Sequence, residues 1–145
     1  LIDGSKKMSK SDPNEGSRIN LLDTPEVITK KIKRAKSDSY IGIEFDNPER
    51  AESKNLLMIY SILSGKEISQ CENEFSDIGW GTFKNLIAEQ LIESLEPIQE
   101  KYKVLINDPH QLCKILQDGG EKAEALANKT LKRVKSKLGF FEMEK

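Results

Sequence analysis

Residues 7–11 read Lys-Met-Ser-Lys-Ser. Two ammonium groups three positions apart flank small hydroxyl side chains, and Gly4, Pro13 and Gly16 bracket them in a stretch rich in Ser, Asp and Asn. Such a segment can wrap backbone N–H groups, hydroxyls and mobile point charges around a polyphosphate. Lysine suits that task because its flexible stem can follow a phosphate as charge moves. On residue type alone, the same pattern also fits a solvated Lys/Ser loop.

The elements that must position this loop follow it. Residues 1–18 carry too many turn-forming residues for a helix or strand and read as a long polar loop. Thr24-Pro25-Glu26 is a helix start, with a Thr cap, Pro at the first helical position and an acid near the positive end. Val27, Ile28, Ile32 and Ala35 recur at helical spacing from there. Residues 40–46 read as a short extended segment ended by Asn47-Pro48. A helix over 53–64, apolar on most sides and so central to the core, ends at Gly65. A short helix covers 69–75, and Gly79-Trp80-Gly81 reads as a tight turn with an anchoring indole. The longest helix runs over 82–106, with Pro97 kinking or splitting it. Asp108-Pro109 starts another helix, which Gly119-Gly120 breaks near 118. The last helix spans 121–138 and is closed by Gly139, with Phe140-Phe141 folding back as an apolar clamp. The fold class is therefore mainly α, a helical bundle preceded by a flexible polar loop, divided into 1–23 (loop and linker) and 24–145 (helical domain).

Composition narrows the function. The chain has 145 residues, 37% of them hydrophobic, and a net charge of −1. That near-zero balance hides three unlike parts. Residues 1–36 carry nine Lys/Arg and five Asp/Glu, residues 37–100 four and thirteen, and residues 101–145 ten and six. The basic ends suit an anionic partner. Two acid-free basic stretches, 30–36 and 129–137, offer Lys30, Lys33, Arg34, Lys129, Lys132 and Arg133 as phosphate contacts, although a solvated helix face fits them too. Glu89, Glu93, Glu96 and Glu100 would repel phosphate and are expected to face solvent or another part of the molecule. No apolar run approaches the length of a membrane span, no signal segment opens the chain, and a cytoplasmic location is the default. Cys71 and Cys113 read as buried, reduced thiols. With the single His110, at a helix start and either structural or solvated, they make no zinc site, so no metal ligands are expected.

The string Lys-Met-Ser-Lys-Ser resembles the signature of class I aminoacyl-tRNA synthetases. More of the chain agrees. Asp12-Pro13, Arg18-Ile19, Leu22-Asp23, the block Lys30-Lys31-Ile32-Lys33-Arg34-Ala35 with Ser37-Asp38-Ser39, then Asn55-Leu56-Leu57 and Ser64-Gly65 are similar to the tryptophanyl-tRNA synthetase family. So are Asp118-Gly119-Gly120-Glu121-Lys122-Ala123, Ala127, Thr130-Leu131 and Gly139-Phe140. The resemblance runs through nearly the whole chain in one order. It implies a ligase that activates tryptophan with ATP-Mg2+ as substrate and transfers it to tRNA(Trp), without a tightly bound cofactor. Lys7 and Lys10 would hold the phosphates, Lys10 chiefly stabilising the departing pyrophosphate. Ser9 and Ser11 would hydrogen-bond phosphate and Met8 would pack near the adenine. The helices would correspond to the anticodon-binding domain, and the intact enzyme would be a homodimer. The family's Rossmann-type nucleotide domain, its His-containing signature and its amino-acid pocket are absent from these residues. The chain therefore reads as a C-terminal portion, expected to be inactive alone. The other readings are a stand-alone helical RNA-binding module and the corresponding part of a tyrosyl-tRNA synthetase.

Overall fold

The structure, a computed structural model, describes residues 1–140. They contain no strand. A 3₁₀ turn at Glu15–Ser17 is followed by α1 (Pro25–Arg34), α2 (Ala51–Ser64), α3 (Ile68–Glu74), α4 (Trp80–Ile106) and α5 (Pro109–Leu138). The chain divides into two compact units, Leu1–Glu100 and Lys101–Lys145.

In the first unit α1 begins as its sequence dictates. The Thr24 hydroxyl accepts from the Val27 amide and Pro25 occupies the first turn, which satisfies one donor and removes another. Ile28 and Ile32 form its buried stripe. They pack in one core with Leu56 and Leu57 of α2 and with Phe83 and Ile87 of α4. Tyr60, Phe75 and Phe83 make the aromatic centre, with Tyr60–Phe75 and Phe75–Phe83 centroids both 4.9 Å apart. α2 is buried on one face only, through Ser53, Leu56, Leu57 and Tyr60. Ile59 and Leu63 pack against the same core, so α2 is central to it as expected, while Ile62 is 73% exposed.

Residues 40–46 are irregular rather than extended. Gly42 has φ +76°, and a Cβ there would lie 2.2 Å from the Ser76 carbonyl oxygen. This turn lets the Gly42 and Ile43 amides donate to the Ile78 and Phe75 carbonyls, a close approach that a strand of larger residues would not allow. Ser53 takes over further backbone groups: its hydroxyl donates to the Glu44 carbonyl at 2.7 Å and accepts from the Glu44 amide at 2.8 Å.

Two buried cations tie the helices together. Arg50, 1% exposed, donates Nε to Asp38 Oδ2 at 2.8 Å and Nη2 to the Gly42 carbonyl at 2.7 Å. Trp80 Nε1 reaches the same carboxylate at 3.0 Å. The indole does anchor its segment, but Trp80 and Gly81 form the first turn of α4 rather than a tight turn. Lys84 donates Nζ to the Ala35 carbonyl at 2.6 Å, and to the Lys33 carbonyl and Ser37 Oγ at 3.3 Å. It thereby satisfies carbonyls at the negative end of α1.

Four other expectations are narrowed or changed. Pro97 lies inside α4 without dividing it. Pro97 and Glu93, the residue whose carbonyl loses its partner, are both exposed, so water can serve that carbonyl. Gly119-Gly120 does not break α5, which runs from Asp108, whose side chain caps the Gln111 amide, to a left-handed Gly139. Two helical glycines cost about 2 kcal/mol relative to alanine, whereas a break would leave eight backbone groups without helical partners and need a second nucleation. Cys71 is buried, but Cys113 is exposed, because α5 has no buried residue among those described. Phe140 is 65% exposed and forms no clamp; Phe141 lies outside the described residues. Glu89, Glu93, Glu96, Glu100 and His110 are all exposed. No helix among the described residues is long and apolar enough to cross a membrane.

Burial disfavours the Asp38 carboxylate, but hydrogen bonds from Arg50, Trp80 and the Tyr40 amide outweigh it and hold its pKa below the usual value. Its contribution to stability is therefore fully present above about pH 4, the unfolded value, and is lost as pH falls through the lower folded value. Asp38→Ala leaves the buried guanidinium only the Gly42 carbonyl and the more distant Glu44 carboxylate at 3.5 Å and is expected to cost about 3 kcal/mol, read as a drop in urea midpoint. Asp38→Asn should flatten the acid limb of the stability profile, and an unchanged limb would show that the pair contributes nothing there.

Candidate phosphate-binding loop and basic helix face

The loop is fastened at both ends. At its start Gly4 lies against the first turn of α2, where a Cβ would fall 2.5 Å from the Ala51 carbonyl oxygen and 2.8 Å from Glu52 Cα. Asp3 accepts the Ser5 amide at 3.0 Å and pairs with Lys6 at 3.0 Å. The Ser5 hydroxyl, then Lys6, lower the Asp3 pKa to about 2. At the far end Arg18 donates Nη1 to the Asp12 carbonyl at 2.8 Å and Nε to Asn20 at 3.0 Å. Asn20 and Lys31 converge on Asp23, the Lys31 ammonium at 2.6 Å. Burial opposes that carboxylate, but the Lys31 and Asn20 hydrogen bonds prevail and its pKa is lowered. Gln99 of α4 donates to the Leu21 and Asp23 carbonyls at 2.9 and 3.0 Å.

Between these anchors the Asp12 amide donates to the Ser9 carbonyl at 3.3 Å, closing a turn with Lys10 and Ser11 at its tip. The Ser9 and Ser11 hydroxyls lie 3.1 Å apart. Met8 is partly buried against the core and holds the middle of the loop down. Lys7, Met8 and Ser9 line a cleft with Ile2, Asp12 and Asn14, while Lys10 and Ser11 are not among its walls. Lys7, Ser9, Lys10 and Ser11 are exposed. Among the described residues neither Lys7 nor Lys10 forms an ion pair. Lys6 differs, being held by Asp3.

α1 sorts its cations in the same way. Lys31 is paired with Asp23, and Lys36, just beyond the helix, with Glu52 at 2.7 Å. Lys30, Lys33 and Arg34 are exposed and line one groove with Pro25, Glu26 and Thr29. Lys129, Lys132 and Arg133 are exposed on α5, in the second unit. No group of three or more metal-ligating side chains occurs among the described residues. The anchors Asp3, Arg18, Asn20 and Gln99 do not stand out in the sequence as site residues. The Asp-x-Ser-Lys spacing at 3–6 carries a local signal for an Asx turn, but Gln99 carries none, because its partners are 76 and 78 positions away.

The helical fold can be set beside known proteins. Residues 1–96 match the model for class I tRNA synthetases (W and Y), and the chain belongs to that family. Within it, the chain is 77% identical over 145 residues to a tryptophan–tRNA ligase of Prochlorococcus marinus subsp. pastoris, covering 100% of this chain and 43% of that protein. A chloroplastic/mitochondrial tryptophan–tRNA ligase of Arabidopsis thaliana is 49% identical over 142 residues, covering 98% and 35%. The crystal structure of tryptophanyl-tRNA synthetase from Mycoplasma pneumoniae superposes with a TM-score of 0.85 at 31% identity, covering 97% of this chain and 43% of that one. The chain thus spans less than half the length of these relatives.

Gly4→Ala tests the fastening. The added methyl cannot coexist with the α2 backbone, so the loop is expected to lift and trypsin to cleave after Lys6 and Lys7 several-fold faster, with helical circular dichroism retained. Unchanged cleavage would mean that Gly4 is not what holds the loop.

Proposed function

We propose that this chain is the C-terminal part of a tryptophan–tRNA ligase and supplies its ATP-phosphate loop and a helical tRNA-binding domain. The observation that carries the reading is the loop: two exposed lysines without ion pairs among the described residues, the Ser9 and Ser11 hydroxyls beside them, and anchors on both sides. In this reading Lys7 and the Ser9 hydroxyl meet the phosphates from the cleft. The Ser9–Ser11 turn then closes so that Lys10 and Ser11 reach them, and Lys10 offsets the charge that develops on pyrophosphate as it leaves. This is electrostatic stabilisation of a leaving group and needs no nucleophilic side chain. Met8, seated on the core, sets the height of the turn and borders the adenine. ATP with Mg2+ enters as substrate; the loop's donors are cationic or hydroxyl groups suited to phosphate oxygens. Lys30, Lys33 and Arg34, and on the second unit Lys129, Lys132 and Arg133, contact tRNA phosphates. The names of the relatives favour tryptophan over tyrosine as the amino acid. The domain division at 23 and 24, a cytoplasmic location and a homodimeric intact enzyme belong to the same proposal.

Lys10→Ala in the full-length protein is expected to slow tryptophan-dependent ATP–pyrophosphate exchange by about 10²–10³-fold, the scale of losing one transition-state donor, while tryptophan affinity changes little. Equal loss of rate and affinity would assign Lys10 a structural role.

A further inference from the structure

A second cleft adjoins the loop. Its walls are Ile2, the turn of Asn14, Glu15 and Gly16, and the α1 residues Val27, Lys30, Lys31 and Arg34. Ile2 and Asn14 also line the cleft that holds Lys7 and Ser9, so the two hollows share a wall. Lys30 and Arg34 stand one helical turn apart on one face and line this cleft as well as the outer groove, whereas Lys33 lines the outer groove alone.

The chemistry of the walls is specific. Ile2 and Val27 are 44% and 37% exposed, giving an apolar floor. Lys31 is neutralised by Asp23, which leaves Lys30 and Arg34 against a single carboxylate, Glu15. Gly16 keeps the space open: a Cβ there would lie 3.1 Å from Asn14 Oδ1 and 3.9 Å from Ile2 Cδ1. Asn14 Oδ1 is held in place by the Gly16 amide at 2.9 Å. Apolar surface flanked by cations suits unpaired nucleotides, whose base faces and phosphates alternate along the strand. A duplex would present phosphates alone.

We propose that this cleft receives the single-stranded 3′ end of the tRNA acceptor arm, with base faces against Ile2 and Val27 and phosphates on Lys30 and Arg34. The inference rests on the function proposed above. Transfer takes place on the terminal ribose at the adenylate, so RNA lying beside the phosphate loop must be the RNA next to its reactive end. It separates α1 from anticodon contacts and assigns Lys30 and Arg34 to one end of the tRNA.

The test uses the full-length enzyme and two RNAs, a minihelix carrying the acceptor stem with its unpaired 3′ nucleotides and an anticodon hairpin. Lys30→Ala/Arg34→Ala is expected to weaken minihelix binding roughly tenfold and to lower its log–log salt slope by about 1.4, two charges at about 0.7 each on single-stranded RNA. Val27→Glu, which places a charge on the apolar floor, should weaken the minihelix too. Removing the unpaired 3′ nucleotides should abolish the effect of the double variant. Weakened hairpin binding with intact minihelix binding would overturn the proposal. So would an undiminished effect of the double variant on a minihelix that lacks its unpaired 3′ nucleotides, which would reduce the cleft to general surface charge. Tryptophan-dependent exchange by the wild-type enzyme is measured separately, and its absence would remove the underlying reading instead.

Discussion

The first unit depends on one constraint: the segment between α1 and α2 is stitched down by two buried cations, Arg50 at the start of α2 and Lys84 of α4. Arg50 fixes Asp38 and the Gly42 carbonyl, and Lys84 fixes the carbonyls at the end of α1. Neither cation reaches water freely, so each must have its partners in place. A buried guanidinium without its carboxylate is far more costly than the pair is favourable. The geometry of residues 33–44 therefore follows from the positions of α2 and α4, and the direction of α1 follows in turn. The aromatic cluster supplies the apolar contact area, but the polar stitches decide how the helix lies on it.

That arrangement also sorts the charges. Lys6, Lys31, Lys36, Arg50 and Lys84 are consumed by internal partners. Lys7, Lys10, Lys30, Lys33 and Arg34 remain exposed, without ion pairs among the described residues. The folded chain turns the first five into fastenings and leaves the other five exposed. The loop gains from the same division, since Asp3, Arg18, Asp23 and Gln99 hold its flanks while its tip stays accessible. A fastened approach with an accessible tip would limit how much chain must be ordered in the phosphate binding proposed for it.

Much of the fold was legible because the signals were local. Thr24-Pro25, Gly65, Asp108-Pro109 and Gly139 mark helix ends by capping chemistry that acts within a few residues. The elements that differ from expectation are those where a local preference is overridden by stronger interactions. Gly119-Gly120 favours a break, yet an unbroken α5 keeps its backbone groups paired. Residues 40–46 have strand-like composition, but the close contact of Gly42 with Ser76 and the grip of Arg50 bend them. Trp80 between two glycines suggests a turn, and its hydrogen bond to Asp38, 42 positions away, starts a helix instead. The residues of the loop were visible as a motif. Their accessibility was not, because it depends on which neighbouring lysines find carboxylates, and these lie at unlike spacings: Asp3 for Lys6, Asp23 for Lys31 and Glu52 for Lys36.

Everything proposed for the loop requires residues 7–11 to be the phosphate-binding element of a longer enzyme. The most direct test is a crystal structure of the full-length protein with ATP or pyrophosphate bound. Phosphate oxygens are expected within about 2.7–3.2 Å of the Lys7 and Lys10 ammonium groups and of a Ser9 or Ser11 hydroxyl. Phosphate density held by other residues, with Lys7 and Lys10 directed into solvent, would contradict that role.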